Sequence, residues 1–134
     1  MITFLAPDEK ILATAQTALA QSHADIRIEQ GLLSAGVEKA RELINGGTEI
    51  IISRGGTAKA IKETFPDIIV VELPITGFDI LRTVHQARSL GRRVGVVAFA
   101  SMILGIDCLP PILDVELRQY LIENEFEAEG KVLQ

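Results

Sequence analysis

The sequence predicts an α/β domain built on a parallel sheet with helices on both faces. Three observations carry this expectation. Short apolar runs alternate along the chain with segments whose apolar residues recur at helical spacing. Most of the runs are aliphatic rather than alternating apolar and polar, as in strands buried on both faces. Apolar residues make up 48% of the 134 positions while aromatics supply only 4%, with no Trp, so Val, Ile, Leu and Ala must fill the core.

The first run, Ile2–Leu5, ends at Ala6-Pro7-Asp8-Glu9, where proline and acids suit the positive end of a helix. Ile11, Leu12, Ala15, Ala18 and Leu19 then recur on one helical face. Ile26-Arg27-Ile28 alternates as a strand and Gly31 interrupts it, after which Leu33, Val37, Ala40, Leu43 and Ile44 line a second helix stopped by Asn45-Gly46-Gly47. Glu49–Ser53 reads as the third strand and Thr57–Phe65 as the third helix, closed by Pro66. Ile68–Leu73 is apolar on both faces and is expected to be a central strand. Thr76–Leu90 forms the fourth helix, stopped by Gly91, and Val94–Phe99 the fifth strand. Repeated strand–helix units of this kind give a parallel sheet covered on both sides.

Beyond Phe99, Pro110–Leu113 reads as a short turn or helix and Asp114–Ile122 as a sixth strand. Asn124 suits an N-cap, with Glu125 and Glu127 in the following turn and Phe126, Val132 and Leu133 as apolar positions. That helix has no stop before Gln134, so the chain is expected to be truncated.

A net charge of −5 and the absence of any Lys/Arg cluster beyond Arg92-Arg93 argue against direct contact with nucleic acid. The lone Cys108 cannot form an internal disulfide and reads as a small buried apolar residue in a reducing compartment. The N-terminus has no basic leader. The most membrane-like stretch, Val94–Leu113, contains Asp107 and Pro110-Pro111 and reads better as a strand and a packed turn. A cytoplasmic location is expected.

In open parallel sheets, ligands gather at the carboxyl ends of the strands. Four loops fall there: Ala6–Asp8, Ser53–Thr57, Leu73–Gly77 and Phe99–Ser101. The second concentrates the most chemistry. Gly55 and Gly56 let backbone amides approach a ligand without a Cβ in the way. Thr57 can cap the helix or donate its hydroxyl, the helix start adds unsatisfied donors and partial positive charge, and Arg54 offers a fork for carboxylate or phosphate. Together with Ser53, these residues form the candidate anion site; the plainer alternative is a tight turn whose Arg54 pairs with a surface acid. Thr76 and Gly77 open the fourth helix in a similar way, where a simple capped helix is as good a reading. Glu72 could orient a ligand or pair with Arg54, and Ser101 is a further candidate.

Other chemistry finds no support in the residues. Neither the phosphate-loop nor the dinucleotide glycine pattern fits Gly55-Gly56-Thr57-Ala58-Lys59. His23 and His85 have no metal spacing around them and are expected to face solvent. No nucleophile elbow or paired acids are visible, so no catalytic residue, metal or cofactor is assigned. A phosphoacceptor receiver shares the βα alternation, but it needs acids after the first strand, an aspartate ending the third and a lysine after the fifth. Here those places hold Ala6-Pro7 with only Asp8 acidic, Ser53, and Phe99-Ala100.

Ile52-Ser53-Arg54-Gly55-Gly56-Thr57-Ala58, followed by Val71-Glu72-Leu73-Pro74-Ile75-Thr76-Gly77-Phe78-Asp79-Ile80-Leu81, resembles the N-terminal sensor domain of the propionate catabolism activator family, sigma-54-dependent transcriptional regulators. The resemblance implies two α/β lobes, each a three-layer α/β/α sandwich of flavodoxin-like type, with a small metabolite held in the cleft between them. It places a first lobe at residues 1–91 and the opening of an incomplete second at 92–134. Ser53, Arg54, Gly55, Gly56 and Thr57, with Thr76 and Gly77, would face that cleft, and an ATPase and a DNA-binding domain would follow downstream.

The resulting expectation is a non-enzymatic sensor for a small anionic metabolite that controls a downstream ATPase. The alternative is an enzyme acting on a phosphorylated or carboxylated substrate with Glu72 or Asp79 as general base. A pure dimerisation module is a third view. A homo-oligomer is expected in any case, because an incomplete second lobe leaves sheet edges and apolar surface bare.

Overall fold

The computed structural model describes residues 1–103 and 105–123. In chain order the elements are β1 (Ile2–Ala6), α1 (Glu9–Ala20), β2 (Ile26–Gln30), α2 (Leu33–Asn45), β3 (Ile50–Arg54), α3 (Gly55–Thr64), β4 (Ile69–Leu73), α4 (Gly77–Arg88), β5 (Arg93–Phe99), α5 (Leu109–Leu113) and β6 (Glu116–Ile122), with 3-10 turns at Ala100–Met102 and Ile106–Cys108. The final helix expected from Asn124 lies outside the described residues. The chain divides into two compact units, Met1–Pro74 and Ile75 onward.

The first unit carries a parallel sheet in the order β2-β1-β3-β4. Phe4 lies opposite Ile28 on one side of β1 and opposite Ile52 on the other, so one layer of side chains runs across three strands. The chain steps from β1 outward to β2, then returns past β1 to β3. Right-handed crossovers consequently place α1 on one face and α2 and α3 on the other. Strand alternation fills both faces. Phe4, Ala6 and Ala15 pack with Ile11, Leu12, Ile26, Ile28 and Ile52 beneath α1. Leu5, Ala40, Leu43, Ile51 and Ile61 pack with Val37, Phe65 and Val70 beneath α2 and α3. These are the three layers anticipated from the sequence.

Two expectations change here. β4 is an edge strand of this sheet rather than a central one, because the chain leaves the sheet at Pro74 instead of adding a strand beside it. Its apolar character on both faces is real, but only Val70 and its neighbour Ile68 reach the core under α3. The third helix also starts at Gly55, two residues before Thr57, since Gly55 itself takes the first helical position.

The second unit pairs β5 with β6 in a separate parallel sheet, from Arg93 opposite Glu116 to Phe99 opposite Ile122. Its core is Val84, Ile103, Ile106, Leu109 and Val115, with Ile80, Leu81, Val94 and Val96 packed around them. The apolar stripe of α4 is therefore buried with β5 and β6, and the division between units falls after Pro74 and not after residue 91. Sequence alone had attached α4 to the strand before it; side-chain burial attaches it to the strand after it. Arg92 and Arg88 both reach the carboxylate of Asp114, whose φ of 53° makes it the left-handed cap of α5. Cys108, expected to be buried, is exposed because the turn that carries it lies at the surface with Ile106 and Leu109 turned inward.

Candidate functional site

The carboxyl end of β3 feeds directly into α3 with no intervening loop. Arg54 is the last residue of the strand and the N-cap of the helix, in extended conformation at φ −139° and ψ 147°. Gly55 must then turn the chain within one residue, and it does so at φ 62°. For an L side chain this left-handed conformation costs roughly 1–2 kcal/mol, which is why the position is glycine.

Among the described residues, the N-cap of α3, Arg54, makes no side-chain capping hydrogen bond. The other long helices differ. Asp8 caps α1 by accepting from the Ile11 amide at 2.8 Å. α4 has a full capping box: Asp79 Oδ2 accepts from the Thr76 amide at 2.8 Å and from its hydroxyl at 2.9 Å. The amide of Leu33, at the start of α2, donates to Thr57 Oγ1 at 2.9 Å. Uncapped amides at a helix start, with the positive end of the helix dipole behind them, favour an anion.

The sequence-derived candidates separate on these contacts. Ser53 is fully buried, and its hydroxyl donates to the Leu5 carbonyl at 2.8 Å, tying β3 to β1. Thr57 is also buried, with its hydroxyl engaged by Leu33. Both side chains hold the turn in place. Arg54 and Gly56 are partly exposed, and Gly55 is buried with its backbone in the turn. Glu72 sits opposite Ser53 in the β3–β4 register, yet its carboxylate pairs with Lys62 at 2.7 Å. In the second unit, Thr76 is committed to Asp79, and Gly77 is the first residue of α4. Ser101 lies in the 3-10 turn after β5. His23 and His85 are exposed, as expected.

One cluster carried no clear signal in the sequence. Gly31, Leu33 and Gly36 form the seat on which the first turn of α3 rests. A Cβ on Gly36 would lie 2.6 Å from Thr57 Cγ2 and 2.9 Å from the Gly31 carbonyl oxygen. Leu33 adopts φ 49°, an uncommon conformation for a bulky side chain. Gly31, visible in the sequence only as an interruption, donates its amide to the Ala6 carbonyl at 2.9 Å and so extends the β1–β2 ladder. A broad, shallow depression at the same edge of the sheet is lined by Pro7, Asp8, Gln30, Gly31 and Leu32, among others.

Among the described residues no group of His, Cys, Asp and Glu is placed to hold a metal ion. No helix among them is long and apolar enough to cross a membrane.

A crystal structure of an NtrC family transcriptional regulator from Clostridium acetobutylicum is similar to the chain with a TM-score of 0.83 at 23% identity, over 94% of this chain and 66% of that one. The chain thus spans a little under two thirds of that structure's length, and the likeness is one of fold. No curated protein matches the sequence. The family model described as propionate catabolism activator matches residues 20–134, which include every candidate site residue, and the chain belongs to that family.

Proposed function

We propose that this chain is the ligand-sensing part of a transcriptional activator and that it binds a small anionic metabolite at the start of α3. The observation that carries the reading is the start of α3, opened by Gly55, where the N-cap Arg54 brings a guanidinium and makes no side-chain capping hydrogen bond. Family membership supports the regulatory role. The ligand's negative charge would be met by the amides of Gly55 and Gly56 and by Arg54. Ser53 and Thr57 keep this turn rigid from below, and rigidity lowers the ordering cost of binding. Binding would act on a downstream ATPase by favouring one of two conformations, which requires different affinities for the two.

Against the competing enzymatic reading stand the contacts of its two candidate bases. Asp79 is occupied as the capping-box acid of α4, and Glu72 is paired with Lys62.

Isothermal titration of the 134-residue chain with citrate and with inorganic phosphate tests the proposal. Arg54→Ala should weaken binding at least tenfold while leaving the melting temperature close to that of the parent. Equal affinity for parent and variant would remove the site from α3.

A further inference from the structure

The face of the first unit's sheet that carries α1 is only half covered. α1 packs over β1 and β2 and reaches Ile52 on β3. Beyond it, Ile69, Val71 and Leu73 of β4 point to the same side and are 60%, 46% and 38% exposed. Their alternation partner Val70 faces the core under α2 and α3. β4 is therefore aliphatic on both faces, as a strand buried on both faces is, but it has a helix on one side only. The edge itself carries none of the usual protection: no proline or bulge interrupts Ile69–Leu73, and its one charge, Glu72, belongs to the opposite face with Lys62.

The bare strip has a defined size. Strands lie about 4.8 Å apart, so the width spanned by β3 and β4 beside α1 takes about one helix of ~10 Å diameter. Topology says why it is empty. The crossovers within this unit place one helix on this face and two on the other, and the chain then departs at Pro74 into the second unit. Among the described residues no second helix packs on this face, so one that covers it comes from outside them. The similar solved structure has about a third of its length outside the matched region, ample for such an element.

We infer that Ile69, Val71 and Leu73 form the docking strip for one amphipathic helix, supplied by the longer polypeptide to which this chain belongs and laid beside α1. The helix presents an aliphatic stripe to β3 and β4 and completes the third layer of the first unit. This goes beyond the anion site and does not depend on it. It gives the activator a mechanical link, since a helix arriving from elsewhere in the polypeptide ties the first unit to whatever precedes that helix.

The test places a single thiol on the strip by Val71→Cys in a Cys108→Ser background, with Ile69→Cys as a second variant. Both thiols lie on exposed positions and should leave the melting temperature nearly unchanged. Reaction with a charged, membrane-impermeant maleimide is timed in the 134-residue chain and in the full-length protein. The introduced thiol should react at least tenfold more slowly in the full-length protein, by the same factor at every protein concentration. A benzophenone maleimide on the same thiol should cross-link to one amphipathic segment of the same polypeptide. Equal reactivity in the two proteins overturns the inference. So does protection that grows with concentration or a cross-link between two copies, which would assign the strip to self-association.

Discussion

The Thr57 hydroxyl accepts the amide hydrogen of Leu33 at 2.9 Å, across 24 positions of sequence, and this bond locks the start of α2 onto the first turn of α3. It turns a residue that invites reading as a ligand donor into part of the frame. The bond is partly buried and joins two helix starts, so both elements lose orientation if it is broken.

Replacing Thr57 with Val keeps the shape but leaves the Leu33 amide without its acceptor. An unsatisfied donor of this kind costs about 1–3 kcal/mol. Thr57→Val should lower stability in urea by that amount, whereas Thr57→Ser, which retains the hydroxyl, should lose clearly less. Equal losses in the two variants would mean that methyl packing, and not the hydrogen bond, holds the junction.

Gly36 has no room for a side chain. With backbone only 2.9 Å from the position of an added Cβ, as well as the Thr57 methyl at 2.6 Å, Gly36→Ala must push α2 away from α3. Overpacking of this kind costs about 1–3 kcal/mol. Chemical denaturation should show the loss despite alanine's better helix propensity, which on its own would favour the variant by about 1 kcal/mol.

Gly55→Ala asks an L residue to hold φ 62° at the strand–helix turn. A penalty of roughly 1–2 kcal/mol is expected in thermal or urea unfolding. If the amide cradle binds an anion, phosphate affinity should fall with it, because the same turn aims the amides. Gly47, at φ 98°, makes a matched control: Gly47→Ala should cost stability by a similar mechanism and leave anion affinity alone.

Asp79→Ala removes the acid half of the α4 capping box, since its carboxylate accepts from the Thr76 amide and hydroxyl, while the backbone amide of residue 79 still donates to the Thr76 hydroxyl. A loss of about 1 kcal/mol is expected, read as earlier unfolding of the second unit. Asp79→Asn retains an acceptor and should recover part of that loss.

Much of this protein was legible in the residues because it rests on local rules. Glycine and proline punctuation, acids at helix starts and helical spacing located every helix from α1 to α4 and every strand from β1 to β6 to within a few positions. The Ser53–Thr57 string marked the turn where the chemistry concentrates, since a glycine pair behind an aliphatic strand is a local feature. What each residue does in that turn was not local. Ser53 answers to the Leu5 carbonyl and Thr57 to the Leu33 amide, both far away along the chain, and only the folded sheet brings them into reach.

The same division holds for the architecture. The sequence by itself determined the alternation, the aliphatic core and the two-faced burial demanded by Ile68–Leu73. Only the tertiary structure decided that α4 packs with the second unit, that β4 sits at the edge, and that Ile69, Val71 and Leu73 stay uncovered. The physical reason is that periodicity records whether a side chain is to be buried, whereas the neighbour that buries it is chosen by the path of the chain.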